Sequence, residues 1–288
     1  MRLVLSRKGF DSAAGGVASP ILPDRRLVSL PIPGAGGRVP YGAIARAGGL
    51  GPVVEDLTRG RIRADASAHL DPDLDPSALP RAPGWRPAYG QTGATATHLA
   101  SQGIASGDVF LFYGWFREAA RMDGRWRHLK GAPDLHVVFG WLQVGEIVPV
   151  ARVGREALLR ERPWLHDHPH PHFPPDDPRN VIFVASDRLV LPGVGDTGLP
   201  GAGEVEGFRE ALVLTAPGAP TRSLWRVPDW FSPERGAPLT YHADPRRWQA
   251  GPDGLILRNV CQGQDFVLDC ADRPDAGPWL ARLLTAPA

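Results

Sequence analysis

Glycine and proline interrupt the apolar segments of this chain so often that most of these segments are short. The 288 residues include 34 glycines and 31 prolines. Both residue types disfavour long helices and strands, so the chain is expected to form short elements joined by many loops. Hydrophobic residues make up 43% and charged residues 22%, which is typical of globular proteins and argues against a disordered or fibrous chain. The sequence therefore predicts a loop-rich globular fold.

The charge balance limits what the chain can bind through its overall electric field. The net charge is +1, which attracts neither nucleic acid nor anionic lipid at long range, so any nucleic-acid contact has to be local. No apolar run is long enough to span a membrane, and the run near Met1 is too short for a signal peptide. We expect a cytoplasmic protein without membrane contact. Cys261 and Cys270 show no metal-site spacing and are expected to be reduced structural thiols.

The spacing of the apolar runs favours a β-rich α+β fold over alternating strands and helices. No internal repeat or shift in composition marks a boundary, so residues 1–288 are predicted to form a single large domain. Helices are expected within 90–103, 155–165 and 277–284. Strands are expected at 2–5, 27–30, 52–57, 104–116, 135–150, 180–186, 210–216, 239–244, 254–259 and 264–270.

Polar residues follow the first predicted strand directly. Ser6, Arg7, Lys8 and Asp11 occupy this loop, and Lys8 is one of two lysines beside 30 arginines. An arginine and a lysine together are suited to a phosphate, and an aspartate can orient a hydroxyl group or hold a metal. The alternative is a solvated turn in which Asp11 caps the backbone towards Gly15.

The segment HLDPDLDP places an imidazole and several carboxylates close together in sequence. In an extended segment, alternate side chains point the same way, so His69, Asp71 and Asp73 could converge on one cation. Oxygen-rich ligands favour Mg²⁺ or Mn²⁺. His69 and Asp71, together with Asp11, are also candidates for acid-base catalysis. The alternative is a proline-stiffened acidic turn at the surface.

Two further groups are candidates for substrate binding. Gln91 and Thr92 stand at the predicted start of a helix, where they and free backbone N–H groups could contact an anion or a base edge. His98, about two turns later, is either a ligand or a core residue. Tyr113 and Trp115 lie on a strand that is apolar on both faces, and these two rings could stack on a nucleobase. The alternative is core packing.

Four histidines alternate with prolines in HDHPHPHF. Polyproline geometry has three residues per turn, so histidines two apart would not share a face. This segment is therefore predicted to be a loop in which one histidine has a partial role, and not a metal site. The patterns of common hydrolases, kinases, dehydrogenases and zinc deaminases do not occur in the sequence.

Several ordered blocks resemble the nucleotide modification associated domain 3 (Nmad3) family. They are LSRKGFDSAAGG at the start, HLDPDL, GWRPAYGQTGATATHL, GDVFLFYGWFR, LHVVFGWLQVGEI, HPHPHF and GQDFVLD. The family pattern often has GQEF where this chain has Asp265 as the acidic residue. The resemblance implies a role in systems that make or handle modified nucleobases, without specifying a reaction.

A second similarity covers residues 104–150. The Gly107–Asp108 turn, the strand through Tyr113 and the later Val-Val-Phe-Gly strand look like the core hairpin of PUA-like barrels such as the EVE and ASCH domains. Such folds hold a base in an aromatic-lined cleft. The resemblance implies a PUA-like barrel core.

Three functions follow as hypotheses. In the first, the protein binds a nucleotide, or a nucleic acid with a modified base, in an aromatic cleft. In the second, it is a base-modification enzyme that uses Asp and His residues or a divalent metal. In the third, it is a non-catalytic partner of other modification-system proteins.

Overall fold

A large mixed β-sheet organises the computed structural model, which describes residues 1–34, 37–173, 177–260, 263 and 265–286. The strands within these ranges are β1 (Arg2–Arg7), β2 (Ser19–Ile21), β3 (Val39–Pro40), β4 (Ser67–Ala68), β5 (Ala88–Gln91), β6 (Val109–Met122), β7 (Arg125–His128), β8 (Leu135–Pro149), β9 (Val181–Ala185), β10 (Arg188–Leu191), β11 (Gly195–Pro200), β12 (Ala202–Glu204), β13 (Leu224–Val227), β14 (Trp248–Gly251), β15 (Gly254–Arg258) and β16 (Asp265–Asp269). The α-helices there are α1 (Leu50–Leu57), α2 (Gly93–Ser101), α3 (Val150–Val153), α4 (Arg155–Glu161) and α5 (Ala276–Thr285).

The main sheet has the strand order β16-β1-β6-β8-β9-β5. Strand β1 pairs in parallel with β6 and antiparallel with β16, and the pairs β6–β8, β8–β9 and β9–β5 are antiparallel. Register shifts interrupt β6–β8 at Phe112/Tyr113 and β8–β9 at Val144/Glu146. Such irregularities bend and twist a strand.

The two ends of the strand order meet through side chains. Tyr89 and Gln91 of β5 both donate hydrogen bonds to Asp265 Oδ2 of β16, at 2.9 Å each. Ser6 of β1 donates to the other carboxylate oxygen. The sheet is therefore curled enough to bring β5 against β1 and β16, and Gln91 of this contact also lines the cleft described below.

Core packing explains why β6 is apolar on both faces. On one face, Phe110 and Phe112 pack against Tyr89 of β5. On the other face, Tyr113 makes an edge contact with Trp225 of β13, at 5.0 Å between ring centroids. Strand β13 belongs to a small sheet of order β13-β15-β14. Aromatic pairs of this kind bury a large apolar area in a defined geometry.

The α+β, β-rich class is confirmed, and so are most of the predicted elements. The strand predicted at 52–57 is wrong because these residues form helix α1. Its buried residues Leu50, Val53, Val54 and Leu57 follow the three- and four-residue spacing of a helix face. The runs at 27–30, 210–216 and 239–244 form turns, 3-10 helix and isolated bridges instead of strands. The PUA-like barrel stays a prediction.

The cysteines and the lengths of the helices can also be compared with the sequence expectations. Cys270 is a buried free thiol, and its burial raises the pKa to about 11; Cys261 lies outside the described residues. No helix in the described ranges combines the length and apolar character needed to cross a lipid bilayer.

Candidate functional site

A cleft of about 280 Å³ opens where β1 and β5 end. The loop after β1, the loop after β4 and the histidine-proline segment before β9 surround it. The structure brings seven of the predicted site residues to its lining: Arg7, Lys8, Asp11, His69, Asp71, Gln91 and Thr92. His170 and Phe173 complete this side of the cleft.

Asp71 is the centre of a buried polar cluster. Its Oδ1 accepts a hydrogen bond from the backbone N–H of Gly90 at 2.8 Å and lies 3.4 Å from His168 Nε2. Its Oδ2 faces His69 Nε2 at 3.8 Å and His170 Nε2 at 3.7 Å. Burial would raise the pKa of Asp71, but the facing side chains, that of His168 foremost, outweigh burial and hold the pKa well below its usual value. Asp71 is therefore an anion in the folded protein.

Hydrogen bonds with Asn180 fix the orientation of the His170 ring. Asn180 Nδ2 donates to the carbonyl of His170 at 2.9 Å, which orients Asn180 Oδ1 towards His170 Nδ1 at 2.8 Å. Nδ1 therefore carries the proton, and Nε2 presents a lone pair towards Asp71. Burial lowers the pKa of His170, which keeps the ring neutral near pH 7.

The histidine-proline segment departs from the predicted polyproline geometry. Residues Pro163–Leu165 and His170–His172 form 3-10 turns, and Pro169 has helical backbone angles. Proline tolerates the first positions of a helical turn because its missing N–H is not needed there. These turns direct His168 and His170 inwards together, so the predicted extended backbone is wrong, and His170 comes near His69 and Asp71.

The basic residues after β1 lie at the same opening. Arg7 ends the strand, and the Lys8 N–H donates to the Tyr113 carbonyl at 2.8 Å, which extends the pairing with β6. Lys8 Nζ lies 4.5 Å from the centre of the Tyr89 ring, a favourable position for a cation. Asp11 lines the cleft, and its Oδ1 accepts hydrogen bonds from Ala13 and Ala14, as in the capped turn considered above.

Gln91 and Thr92 are closer to the protein interior than their predicted role requires. The Gln91 amide donates to Tyr89 and Asp265 and accepts from the Thr92 N–H. The first N–H of α2, from Gly93, donates to Asp177 Oδ2 at 2.7 Å. The start of this helix therefore already has a carboxylate partner.

Three predicted site residues are held elsewhere. Asp73 forms a two-pronged ion pair with Arg81, at 2.6 and 2.7 Å, so this carboxylate does not join Asp71 on a cation. Ser6 is buried against Asp265. His98 Nε2 lies 3.2 Å from Thr240 Oγ1, and burial lowers the pKa of this histidine.

The prediction that Tyr113 and Trp115 stack on a nucleobase in the cleft requires a correction. Tyr113 is fully buried between His136 and Trp225, so its ring has no free face for a base. Trp115 donates to Asp134 Oδ1 at 2.9 Å, and the Arg222 guanidinium lies 4.3 Å from its ring centre. Neither ring lines the cleft, where the aromatic side chain is that of Phe173.

Comparison with known proteins gives one match. The sequence model of nucleotide modification associated domain 3 matches residues 2–269. The chain belongs to the Nmad3 family. No curated protein and no solved structure matches it. Membership associates the chain with nucleotide modification systems.

Sequence reasoning missed several residues that support the site of this Nmad3 chain. His168 and His170 stand in the histidine-proline segment, whose spacing predicts an extended backbone where the structure has 3-10 turns. Gly90 and Asn180 carry no signal in a single sequence, since their roles arise from backbone contacts across the fold. The clearest available signal for Asp265 was its place in the GQDF block.

Proposed function

We propose that the cleft binds the phosphate-bearing part of a nucleotide within a nucleotide modification system. The observation that carries this proposal is the position of Lys8, half-buried at the same opening as Arg7 and fixed beside the Tyr89 ring. A guanidinium and an ammonium group at one opening favour an anion with several oxygens. Family membership supports a nucleotide as the source of that anion.

The cleft also suggests how the remainder of the nucleotide is accommodated. Phe173 makes ring contacts with His170 at 5.0 Å and His69 at 5.5 Å, so three rings form one side of the opening. A nucleobase could pack there, since aromatic side chains stack on bases of any sequence. We therefore propose that the base packs beside Phe173 and not beside Tyr113 or Trp115.

Lys8→Met is expected to weaken binding of a nucleoside monophosphate about tenfold or more, because a charged hydrogen bond contributes about 1.5–3 kcal/mol. Binding of the matching nucleoside should change much less, since it lacks the anion. Calorimetry with both ligands, on the parent and the variant, measures the difference. Lys130→Met is the matched control because Lys130 is exposed and the chain has no other lysine.

Equal loss for both ligands, or no loss for either, would show that the loop after β1 has a structural role only. An equal effect of Lys130→Met on the monophosphate would indicate a nonspecific charge effect and would also contradict the proposal.

A further inference from the structure

We infer that His69, Asp71 and His170 bind one divalent first-row transition ion, Zn²⁺ or Fe²⁺, in this cleft. One ligand atom from each side chain lies within 4.8 Å of the other two. The inference goes beyond nucleotide binding and requires no nucleotide. In this ligand set His170 takes the place predicted for Asp73, and a metal that favours imidazole takes the place of Mg²⁺ or Mn²⁺.

The separations between the ligand atoms suit an ion better than direct hydrogen bonds. Asp71 Oδ2 is 3.7 Å from His170 Nε2 and 3.8 Å from His69 Nε2, which is too long for a hydrogen bond. Tetrahedral ligands about 2.0–2.1 Å from zinc are separated by about 3.3 Å. The two carboxylate–imidazole separations are therefore within about half an ångström of this value, and the ligand atoms of all three side chains lie within 4.8 Å of one another.

Neighbouring groups hold two of the ligands in the required state. Asn180 accepts the proton of His170 Nδ1 and leaves the Nε2 lone pair available. His168 Nδ1 accepts from the His170 N–H at 3.3 Å, so His168 Nε2 carries a proton and directs it at Asp71 Oδ1. The backbone N–H of Gly90 donates to the same oxygen, so the other oxygen of Asp71, Oδ2, remains directed at the imidazoles of His69 and His170. Such outer contacts orient the ligands in established metal sites.

The donor set identifies the class of metal. Two imidazoles and one carboxylate suit zinc and iron, whereas Mg²⁺ is held mainly by oxygen ligands and water. Three protein ligands also leave a coordination position vacant, as in catalytic rather than structural zinc sites. Because all three residues line the cleft, that position opens to the space that Arg7 and Lys8 share.

An ion would also change the charge of the cleft. Arg7 and Lys8 are balanced by Asp11 and Asp71 among its lining residues. A divalent cation would make this group net positive, and a phosphate would then be favoured. This last consequence rests on the proposed function, whereas the metal site itself does not.

The test is a metal titration of the full chain after treatment with a chelator. Calorimetry is expected to show one Zn²⁺ per chain and much weaker binding of Mg²⁺. Co²⁺ should give the visible absorption of a site with nitrogen and oxygen ligands. His69→Ala, Asp71→Asn and His170→Ala should each weaken Zn²⁺ binding by more than the roughly 10–100-fold typical for loss of an outer contact. Asn180→Ala should fall within that range.

His166→Ala is the matched control, since His166 belongs to the same segment but is exposed and pairs with Asp167. It should bind Zn²⁺ like the parent. If the variants of Asp71 and His170 fail to fold, His69→Ala, at the least buried of the three positions, still decides the question.

Parent-like Zn²⁺ binding by His69→Ala or His170→Ala, or equal binding of Mg²⁺ and Zn²⁺, would overturn the inference. The titrations contain no nucleotide, so their failure is distinct from a failure of the Lys8 comparison.

Discussion

Gly90→Ala is expected to lower the free energy of unfolding by about 1–3 kcal/mol, the usual cost of inserting a methyl group into a filled interior. A β-carbon at this position would lie 2.1–2.5 Å from three atoms of the His170 ring. The ring cannot withdraw easily because it is buried and bonded to Asn180. The substitution should therefore also move His170 away from Asp71 and weaken Zn²⁺ binding.

A double-mutant cycle separates this local collision from a general effect on strand β5. Once His170→Ala has removed the ring, the added methyl group has space, so the double variant should be about as stable as His170→Ala alone. Denaturant unfolding of the four proteins measures the coupling. Additive losses would show that the Gly90 substitution acts through the backbone and not through the imidazole.

Acidification to pH 4.5 is expected to remove about 2–3 kcal/mol of stability through His136 alone. Trp225 Nε1 donates to His136 Nδ1 at 3.0 Å, so the folded protein holds the neutral ring. Burial, followed by the charges of Arg222 and Arg7, lowers the pKa of His136 from 6.5 to about 3. The unfolded chain therefore takes up a proton first. The contribution is fully present above pH 6.5 and is lost as pH falls from 6.5 towards 3, at about 1.4 kcal/mol per unit.

His136→Gln provides the comparison, because a glutamine oxygen can accept from Trp225 but does not titrate. Denaturant unfolding at pH 7.5 and pH 4.5 gives the loss of stability for each protein. The parent should lose about 2–3 kcal/mol more than the variant. The same loss in both would mean that His136 is not the group responsible.

Sequence patterns predicted the elements whose periodicity is regular and the residues that stand at strand ends. Strands β1, β6 and β8 and helix α2 were recognised, and the loop after β1 lies at the cleft as expected. Helix α1 was missed because its valines favour strands locally, while its buried face is defined only by tertiary packing.

The misplacement of the aromatic residues has a similar cause. Alternation along β6 showed two apolar faces, but not that Trp225, more than a hundred residues later, covers the ring of Tyr113. His170 was underestimated because proline spacing suggested an extended chain, whereas the local turns are helical. Asp71 and Asp73 stand two residues apart in one acidic, proline-containing segment, and only the fold separates their roles: His168 and His170 face Asp71, whereas Arg81 pairs with Asp73.

The pairing of β1 with β16 has a consequence for the order in which the protein folds. Ser6 and Asp265, opposite each other in this pair, are separated by 259 residues. During synthesis on the ribosome, β1 emerges 259 residues ahead of its partner in β16, and one of its edges stays uncovered for that long. An exposed strand edge is prone to wrong pairing. Nascent chains of this protein are therefore expected to depend on chaperones until residues 265–269 have emerged.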